Sequence, residues 1–325
     1  DGRLGFMYAP IVRTLVQGIN ASSRRGMRIH VGEVDTAADA TSAFQRSMLR
    51  LGPRDTFVWV GAKQHAAPPW AQMRALGVHR VYYQTEPLPR GGGCMLPPGR
   101  RPRPPTVSDA QLVDEVWDYS LWNLEQCGRA THVPLLRHVP PGAYDAVRGG
   151  TGPAAVTERT ATAEGNAQAR GGSPRAMFLG DATLEERPSC FPPLRHLVSP
   201  VNDVWSEASL RQLIATSTSP VFVNIHKRCL HDEATQPLES VRIAMLLSAG
   251  AIVLSQHAAP HDEALFDGIV EFASLDAMPR AISALLARPD LHTLARERHA
   301  EFRRRFEPGA LLAKALSIGP GQGRG

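Results

Sequence analysis

Residues 219–256 decide the fold, and they read SPVFVNIHKRCLHDEATQPLESVRIAMLLSAGAIVLSQ. One apolar run ends at Asn224, a second ends at Gln256, and apolar residues with helical spacing lie between them. Gly250 stands directly after the helical segment, where a residue in the left-handed conformation commonly ends a helix. A helix between two buried strands predicts a parallel sheet with helices packed on its faces.

Polar side chains follow the predicted strands of this region. Ligands of open parallel sheets bind beyond the carboxyl ends of the strands. The helix predicted from about Leu238 adds unpaired backbone N–H groups and a positive dipole end, which suit a phosphate group. We therefore expect a binding site for a phosphate-bearing ligand at this edge. Its predicted residues are Asp181, Asn224, His226, Lys227, Arg228, Glu239, Arg242, Ser255 and Gln256.

Two of these residues have a specific expected role. Arg242 lies in the first turn of the helix, where its guanidinium can form two hydrogen bonds to a phosphate. Glu239 can accept hydrogen bonds from the hydroxyls of a ribose or a sugar. A simpler explanation stays open, because polar residues follow most buried strands and a carboxylate near a helix N-terminus is favourable without any ligand. Arg242 would then pair with Glu239.

The alternation of strands and helices predicts two α/β domains. The first covers residues 1–148, with a strand at 27–34 and a loop insertion rich in Pro, Gly and Arg at 88–107. No strand precedes its first helix, so we expect a first strand to be missing. Residues 149–174 have almost no large apolar side chain and predict a flexible linker. The second domain is expected at 175–316, and a disordered tail at 317–325.

Composition excludes several classes of protein. No apolar run reaches the roughly 18–20 residues that a membrane-spanning helix needs. The net charge of +5 comes mainly from arginines in predicted loops and one late helix, so we do not expect nucleic-acid binding. Cys94, Cys127, Cys190 and Cys229 are widely spaced, with no CxxC pair, and predict free or buried thiols rather than disulfides or a zinc site. The compartment stays open between the cytoplasm and the Golgi.

The stretch at 221–226, VFVNIH, and the following LESVRIAMLLSAGAIVLSQ resemble the donor-binding half of GT-B glycosyltransferases, within the group-1-like families. VWDYSLWNLEQC at 116–127, HVPPGAY at 138–144 and RAMFLGD at 175–181 are similar to further segments of these proteins. The resemblance covers roughly residues 116–286. It implies two Rossmann-like domains that face a cleft, with the donor bound by the second domain.

The resemblance also implies an activity, the transfer of a sugar from a nucleotide-activated donor to a glycan, protein or lipid acceptor. His226, expected among the catalytic residues, would bind the phosphate or the sugar of the donor. The acceptor proton would be managed by Glu86, which ends YYQTE at 82–86, by Asp118 or by a group of the donor itself. We expect no cofactor and no metal, because no Asp-x-Asp motif occurs. The sequence departs from the family in that the paired glutamates of many retaining members are missing: His231 and Leu247 stand eight residues from Glu239.

Other classes lack their motifs. A nicotinamide-binding G-x-G-x-x-G after a strand, a P-loop and a nucleophile elbow are all absent from the sequence. His257, His261 and Glu263 suggest a metal site, but Pro260 lies between the histidines and argues against a helix that would bring them together. Two alternatives to an active transferase remain: an inactive homologue that binds nucleotide or glycan, and a basic protein associated with nucleic acid.

Overall fold

The computed structural model describes residues 3–21, 51–61, 70–88, 90, 93–94, 111–128, 135–144, 174–204 and 206–317. Several predicted features lie outside these ranges. They are the strand at 27–34 with the helix that follows it, most of the insertion at 88–107, residues 149–173 of the predicted linker, and the tail from 318.

The first half of the chain forms a parallel sheet with the strand order β1-β2-β3-β4. Its described elements are α1 (Arg3–Ala21), β1 (Thr56–Val60), α2 (Trp70–Ala75), β2 (His79–Gln84), β3 (Glu115–Asp118), α3 (Leu121–Gly128) and β4 (Leu135–His138). Ser120 caps α3, because its hydroxyl accepts a hydrogen bond of 3.1 Å from the Asn123 N–H.

The second half forms a five-stranded parallel sheet with the order β6-β5-β7-β8-β9. Its elements are β5 (Ala176–Leu179), α4 (Arg187–Cys190), a 3₁₀ turn (Pro192–Leu194), β6 (Val198–Val201), α5 (Glu207–Thr216), β7 (Val221–Asn224), a 3₁₀ turn (Glu233–Thr235), α6 (Ser240–Ser248), β8 (Ile252–Gln256), α7 (Pro260–Ala264), β9 (Glu271–Ala273), α8 (Met278–Leu286), α9 (Leu291–Arg305) and α10 (Pro308–Ser317). Two parallel sheets in one chain confirm the predicted two-domain, Rossmann-like α/β class.

The central strands of the second sheet are apolar throughout because both faces are covered. Phe222 packs into the cluster that contains α6, while Val221 and Val223 pack into the cluster on the opposite face, which contains α8. Strands that are buried on both faces lose the apolar–polar alternation of a half-exposed strand. After α6, Gly250 has φ +92°, which matches the predicted C-terminal cap.

The last helix returns to the first half of the chain. Helix α10 packs against α1 so closely that a Cβ on Gly18 would lie 2.7 Å from the Pro308 carbonyl oxygen and 2.9 Å from Leu312 Cβ. The Arg137 guanidinium, held by Glu115 on the neighbouring strand, donates a hydrogen bond of 2.7 Å to the Ala315 carbonyl. The C-terminal helix, part of the segment predicted at 175–316, is therefore anchored on the first sheet.

The prediction of free thiols is wrong. Cys94 pairs with Cys127, and Cys190 pairs with Cys229. Each bridge joins residues that are 33 or 39 positions apart in the sequence, so their proximity depends on the tertiary fold rather than on a local spacing pattern. The second bridge links α4 to the loop after β7.

Candidate functional site

Segments that follow the carboxyl ends of strands in the two sheets contact each other. After β3, the Ser120 hydroxyl donates a hydrogen bond of 2.6 Å to Asp262, which follows β8. After β7, Lys227 Nζ lies 3.9 Å from the carboxylate of Glu86, which follows β2. The predicted residue Lys227 of the second half therefore lies beside Glu86, one of the two predicted proton acceptors of the first half.

Glu239 is the centre of the charged cluster on the second sheet. Its carboxylate lies 2.6 Å from Arg242 Nη2 and 3.3 Å from Arg187 Nη2, and it accepts a hydrogen bond of 3.2 Å from the Lys227 N–H. Burial on its own would raise the pKa of Glu239, but the charges of Arg242 and Arg187 outweigh it and hold the pKa below its usual value. The side chain is therefore ionised at neutral pH.

Arg187 is the buried member of this cluster. It is 1% exposed, donates to the carbonyl oxygens of Ile225 and Asp181, and lies over the Phe178 ring with 5.1 Å between its Cζ and the ring centroid. Burial lowers the pKa of Arg187 to about 10, which leaves it charged at neutral pH. Its contacts and its burial make it an anchor for Glu239, not a group that reaches a ligand.

Arg242 pairs with Glu239. This pairing was expected if the polar residues at this edge stabilise the fold without a ligand. Arg242 also donates a hydrogen bond of 3.0 Å to Asn224 Oδ1. These contacts engage two of the five guanidinium N–H groups, so bidentate contact with a ligand stays within its donor capacity. Gly180 has φ +141°, and a Cβ there would come within 3.7 Å of Arg242 Nη2. A glycine at this turn thus leaves room beside the guanidinium.

His226 is held in a neutral state. It is 2% exposed, and its Nε2 donates to the His257 carbonyl at 2.8 Å. Burial lowers the pKa of His226, and the nearby negative charge of Glu239 only partly offsets this. With Nε2 as the donor, Nδ1 of the neutral ring is an acceptor. His226 is therefore suited to a sugar hydroxyl rather than to a phosphate oxygen.

Three predicted residues form a buried polar network under the site. Asn224 Nδ2 donates to Ser255 Oγ at 2.9 Å, and Ser255 in turn donates to the Gln256 carbonyl. The Gln256 amide accepts from the His226 N–H and donates to the Cys229 carbonyl and to Glu233. Since all three side chains are buried, their observed contacts position the loop after β7.

Two predicted residues lie apart from this cluster. The carboxylate of Asp181 accepts hydrogen bonds from the Thr183 backbone and hydroxyl within its own exposed turn. Arg228 is exposed and lies 3.6 Å from Glu185. Neither side chain contacts Glu239 or Arg242 among the residues that the structure describes.

The two predicted proton acceptors differ in access to solvent. The Glu86 side chain is 37% exposed. Asp118 is 2% exposed, and its Oδ1 accepts from the Ser120 N–H and from Asn123 Nδ2. Burial raises the pKa of Asp118 well above its usual value, against the effect of these hydrogen bonds. Glu86 is thus the accessible carboxylate, and Asp118 supports the start of α3.

The sequence analysis missed Arg187 and Asp262. Arg187 is one arginine among many, and its contact with Glu239 joins residues that are 52 positions apart. Asp262 stands inside the HAAPHDE stretch at 257–263, where only His257, His261 and Glu263 were predicted as possible ligands of a metal. The expectation that Pro260 prevents a helix there is wrong: α7 begins at Pro260, which suits the first helical position. His257 precedes the helix, and the described residues contain no group arranged to hold a metal ion.

A groove of about 330 Å³ lies elsewhere, along the edge strand β6. Its lining includes Arg175, Phe191, Arg195 and Ser199. None of the predicted site residues contributes to it, so the groove and the charged cluster are separate features of the second half.

No family model and no curated protein matches this chain. Solved structures that resemble it include GT-B glycosyltransferases. The α,α-trehalose-phosphate synthase (UDP-forming) from Burkholderia vietnamiensis is 13% identical, with 96% of this chain and 87% of that chain covered and a TM-score of 0.49. The spinosyn forosaminyltransferase SpnP is 14% identical, with 97% and 95% covered and a TM-score of 0.42. The glycotransferase of kitacinnamycin is 13% identical, with 89% and 84% covered and a TM-score of 0.39.

With identities and TM-scores this low, the similarities concern the arrangement of sheets and helices and do not assign an activity. Among the described residues, no helix combines the length and the apolar character that a membrane crossing requires.

Proposed function

We propose that this protein is a glycosyltransferase that moves a sugar from a nucleotide-activated donor to an acceptor held in the cleft. The observation that carries the proposal is the environment of Glu239, an ionised carboxylate beside the start of α6, surrounded by Arg187, Arg242 and the Lys227 backbone. The cluster combines acceptors for sugar or ribose hydroxyls with cations for a diphosphate.

The donor diphosphate would lie at the start of α6. Arg242 and Lys227 supply charged donors there, and the first turn of the helix adds its positive dipole end. Ser240, in this first turn, has a buried hydroxyl without a hydrogen-bond partner in the described part of the chain. A buried hydroxyl without a hydrogen-bond partner costs free energy unless a ligand or a water molecule forms the missing hydrogen bond. These groups would stabilise the leaving diphosphate without a metal ion.

The acceptor would approach from the first sheet. Its hydroxyl oxygen forms a bond to the anomeric carbon, while the bond from that carbon to the diphosphate oxygen breaks. The hydroxyl proton passes to Glu86, the accessible carboxylate that faces Lys227. The negative charge of the departing diphosphate is balanced by Arg242 and Lys227.

A second candidate is a protein of the same fold that binds nucleotide or glycan without turnover. It is favoured by His231, which stands where many retaining members of the resembled family have the first of two paired glutamates. Ligand binding would then be retained, and no sugar would be transferred.

A thermal-shift screen separates these candidates when it is combined with donor-hydrolysis measurements. We expect one of the uridine, guanosine, adenosine or cytidine diphosphates to raise the melting temperature, since a ligand at about 100 times its Kd stabilises the native state by about 2.7 kcal/mol. Slow hydrolysis of the corresponding nucleotide sugar supports a transferase, and binding without hydrolysis or transfer supports the inactive protein. If none of the four diphosphates at millimolar concentration changes the melting temperature, the transferase and an inactive nucleotide-binding protein are both excluded, and only an inactive glycan-binding protein is left.

A further inference from the structure

Asp262 joins the two halves of the molecule through both of its carboxylate oxygens. One oxygen accepts hydrogen bonds from the Ser120 hydroxyl at 2.6 Å and the Leu238 N–H at 3.1 Å. The other accepts from the Leu121 N–H at 2.8 Å and the Trp122 N–H at 3.4 Å. Leu238 belongs to the same half as Asp262, and the other three donors belong to the first half.

These contacts cap a helix from outside its own domain. Leu121 and Trp122 open α3, and their N–H groups are among those that a helix leaves without an internal partner. A carboxylate at this end also interacts favourably with the helix dipole. Ser120 is part of the same arrangement, because its hydroxyl donates to Asp262 and accepts from the Asn123 N–H.

The position of this cap relates it to the candidate site. Leu238 directly precedes Glu239, and Ser120 lies two residues after Asp118. Asp262 is 2% exposed, so water competes little for its hydrogen bonds. A single side chain therefore contacts both the start of α6 and the start of α3.

We propose that Asp262 is a positioning residue, an interdomain helix cap that holds the two walls of the cleft together. Breaking its contacts loosens the link between the start of α6 and the start of α3 without unfolding either sheet. The inference depends on these four hydrogen bonds and stands whether or not the protein transfers sugars.

The test is amide hydrogen exchange on the full chain without ligand, comparing the wild type with Asp262→Asn. The amide can keep only one of the two acceptor oxygens. Losing hydrogen bonds to a charged acceptor corresponds to about a ten- to hundredfold change in the local opening equilibrium. We expect exchange at Leu121 and Trp122 to accelerate by that factor, while exchange in β8 stays as in the wild type. Asp267→Asn, an exposed aspartate in the same half, is the matched control.

Ser120 provides a second, independent test should Asp262→Asn fail to fold. Ser120→Ala removes the shortest of the contacts that Asp262 makes with the first half and should accelerate exchange at Leu121 and Trp122, and Ser120→Thr, which keeps the hydroxyl, should restore slow exchange. Unchanged exchange at these amides in both Asp262→Asn and Ser120→Ala would overturn the proposal. So would an acceleration of equal size in β8, because it would indicate a general loss of stability.

Discussion

Arg242 and Glu239 form an ion pair of 2.6 Å within the first turn of α6. The pair has two consequences. It keeps the carboxylate ionised in a buried place, and it aligns the guanidinium with Asn224 at the end of β7. The same arginine thereby contributes to the stability of the edge and remains available to an anionic ligand.

Replacing Arg242 by alanine should affect both properties. Glu239 would keep only Arg187 and the Lys227 N–H, so we expect the free energy of unfolding to fall by about 1–3 kcal/mol. Diphosphate affinity should fall by about ten- to a hundredfold, and nucleoside affinity should change little. Denaturant unfolding and calorimetry measure these effects. Equal losses for nucleoside and diphosphate would show that Arg242 is purely structural.

Replacing Glu86 by glutamine tests its role as proton acceptor. Loss of a general base typically slows a reaction by about 10²–10⁴-fold, so the transfer rate should fall within that range. Nucleoside diphosphate binding should persist, because the amide removes only the ion pair with Lys227, whose two side chains are each more than a third exposed. Glu185→Gln, on an exposed loop of the second half, is the control. A transfer rate in Glu86→Gln equal to that in Glu185→Gln would exclude the assignment.

Stability should depend on pH through His138. The pKa of His138 is lowered to about 4, mainly by burial and to a smaller extent by the charge of Lys314, while the hydrogen bond to the Tyr119 carbonyl acts in the opposite direction. Below the unfolded value of 6.5 the unfolded chain takes up a proton that the folded chain does not, so stability is lost as the pH falls toward 4. His138 accounts for at most about 3 kcal/mol of this loss.

His138→Gln should flatten the stability curve between pH 6.5 and 4, while His226, which is also buried with a lowered pKa, keeps part of the slope. Urea unfolding at several pH values measures the difference, with the exposed His292→Gln as the control. Parallel curves for wild type and His138→Gln would contradict the assignment.

The Cys190–Cys229 bridge should stabilise the second half. A link across 39 residues restricts the unfolded chain, and removing such a bridge typically costs about 2–4 kcal/mol. We expect a Cys190→Ser, Cys229→Ser double variant to unfold at a lower urea concentration than the wild type under non-reducing conditions. The corresponding Cys94 and Cys127 double variant is the comparison for the first half. Unfolding of the Cys190 and Cys229 variant at the wild-type midpoint would show that the bridge adds no stability.

Local patterns were enough to predict the core of the second sheet. The apolar runs before Asn224 and Gln256 and the helix between them are β7, β8 and α6, because burial on both sheet faces requires such runs. The parallel arrangement also placed Asn224, His226, Lys227 and Ser255 at one edge. Side-chain direction at this edge was not predictable, and Asp181 and Arg228 point away from the cluster.

What the sequence did not reveal depends on contacts between distant segments. Asp262 reaches the start of α3 across 141 residues, and Arg187 reaches Glu239 across 52. The two disulfides have the same origin. Such contacts leave no periodicity or spacing pattern in the sequence, since they form only when separate strands, helices and loops pack together.

The most direct test of the account is isothermal titration of the wild-type protein with the four nucleoside diphosphates and their nucleosides, with and without a chelator. We predict that one diphosphate binds at least about tenfold more tightly than its nucleoside, the size expected from charge-assisted contacts to phosphate, and that chelation leaves this difference unchanged. Equal affinities for diphosphate and nucleoside, or loss of binding on chelation, would contradict a metal-independent diphosphate site at the start of α6.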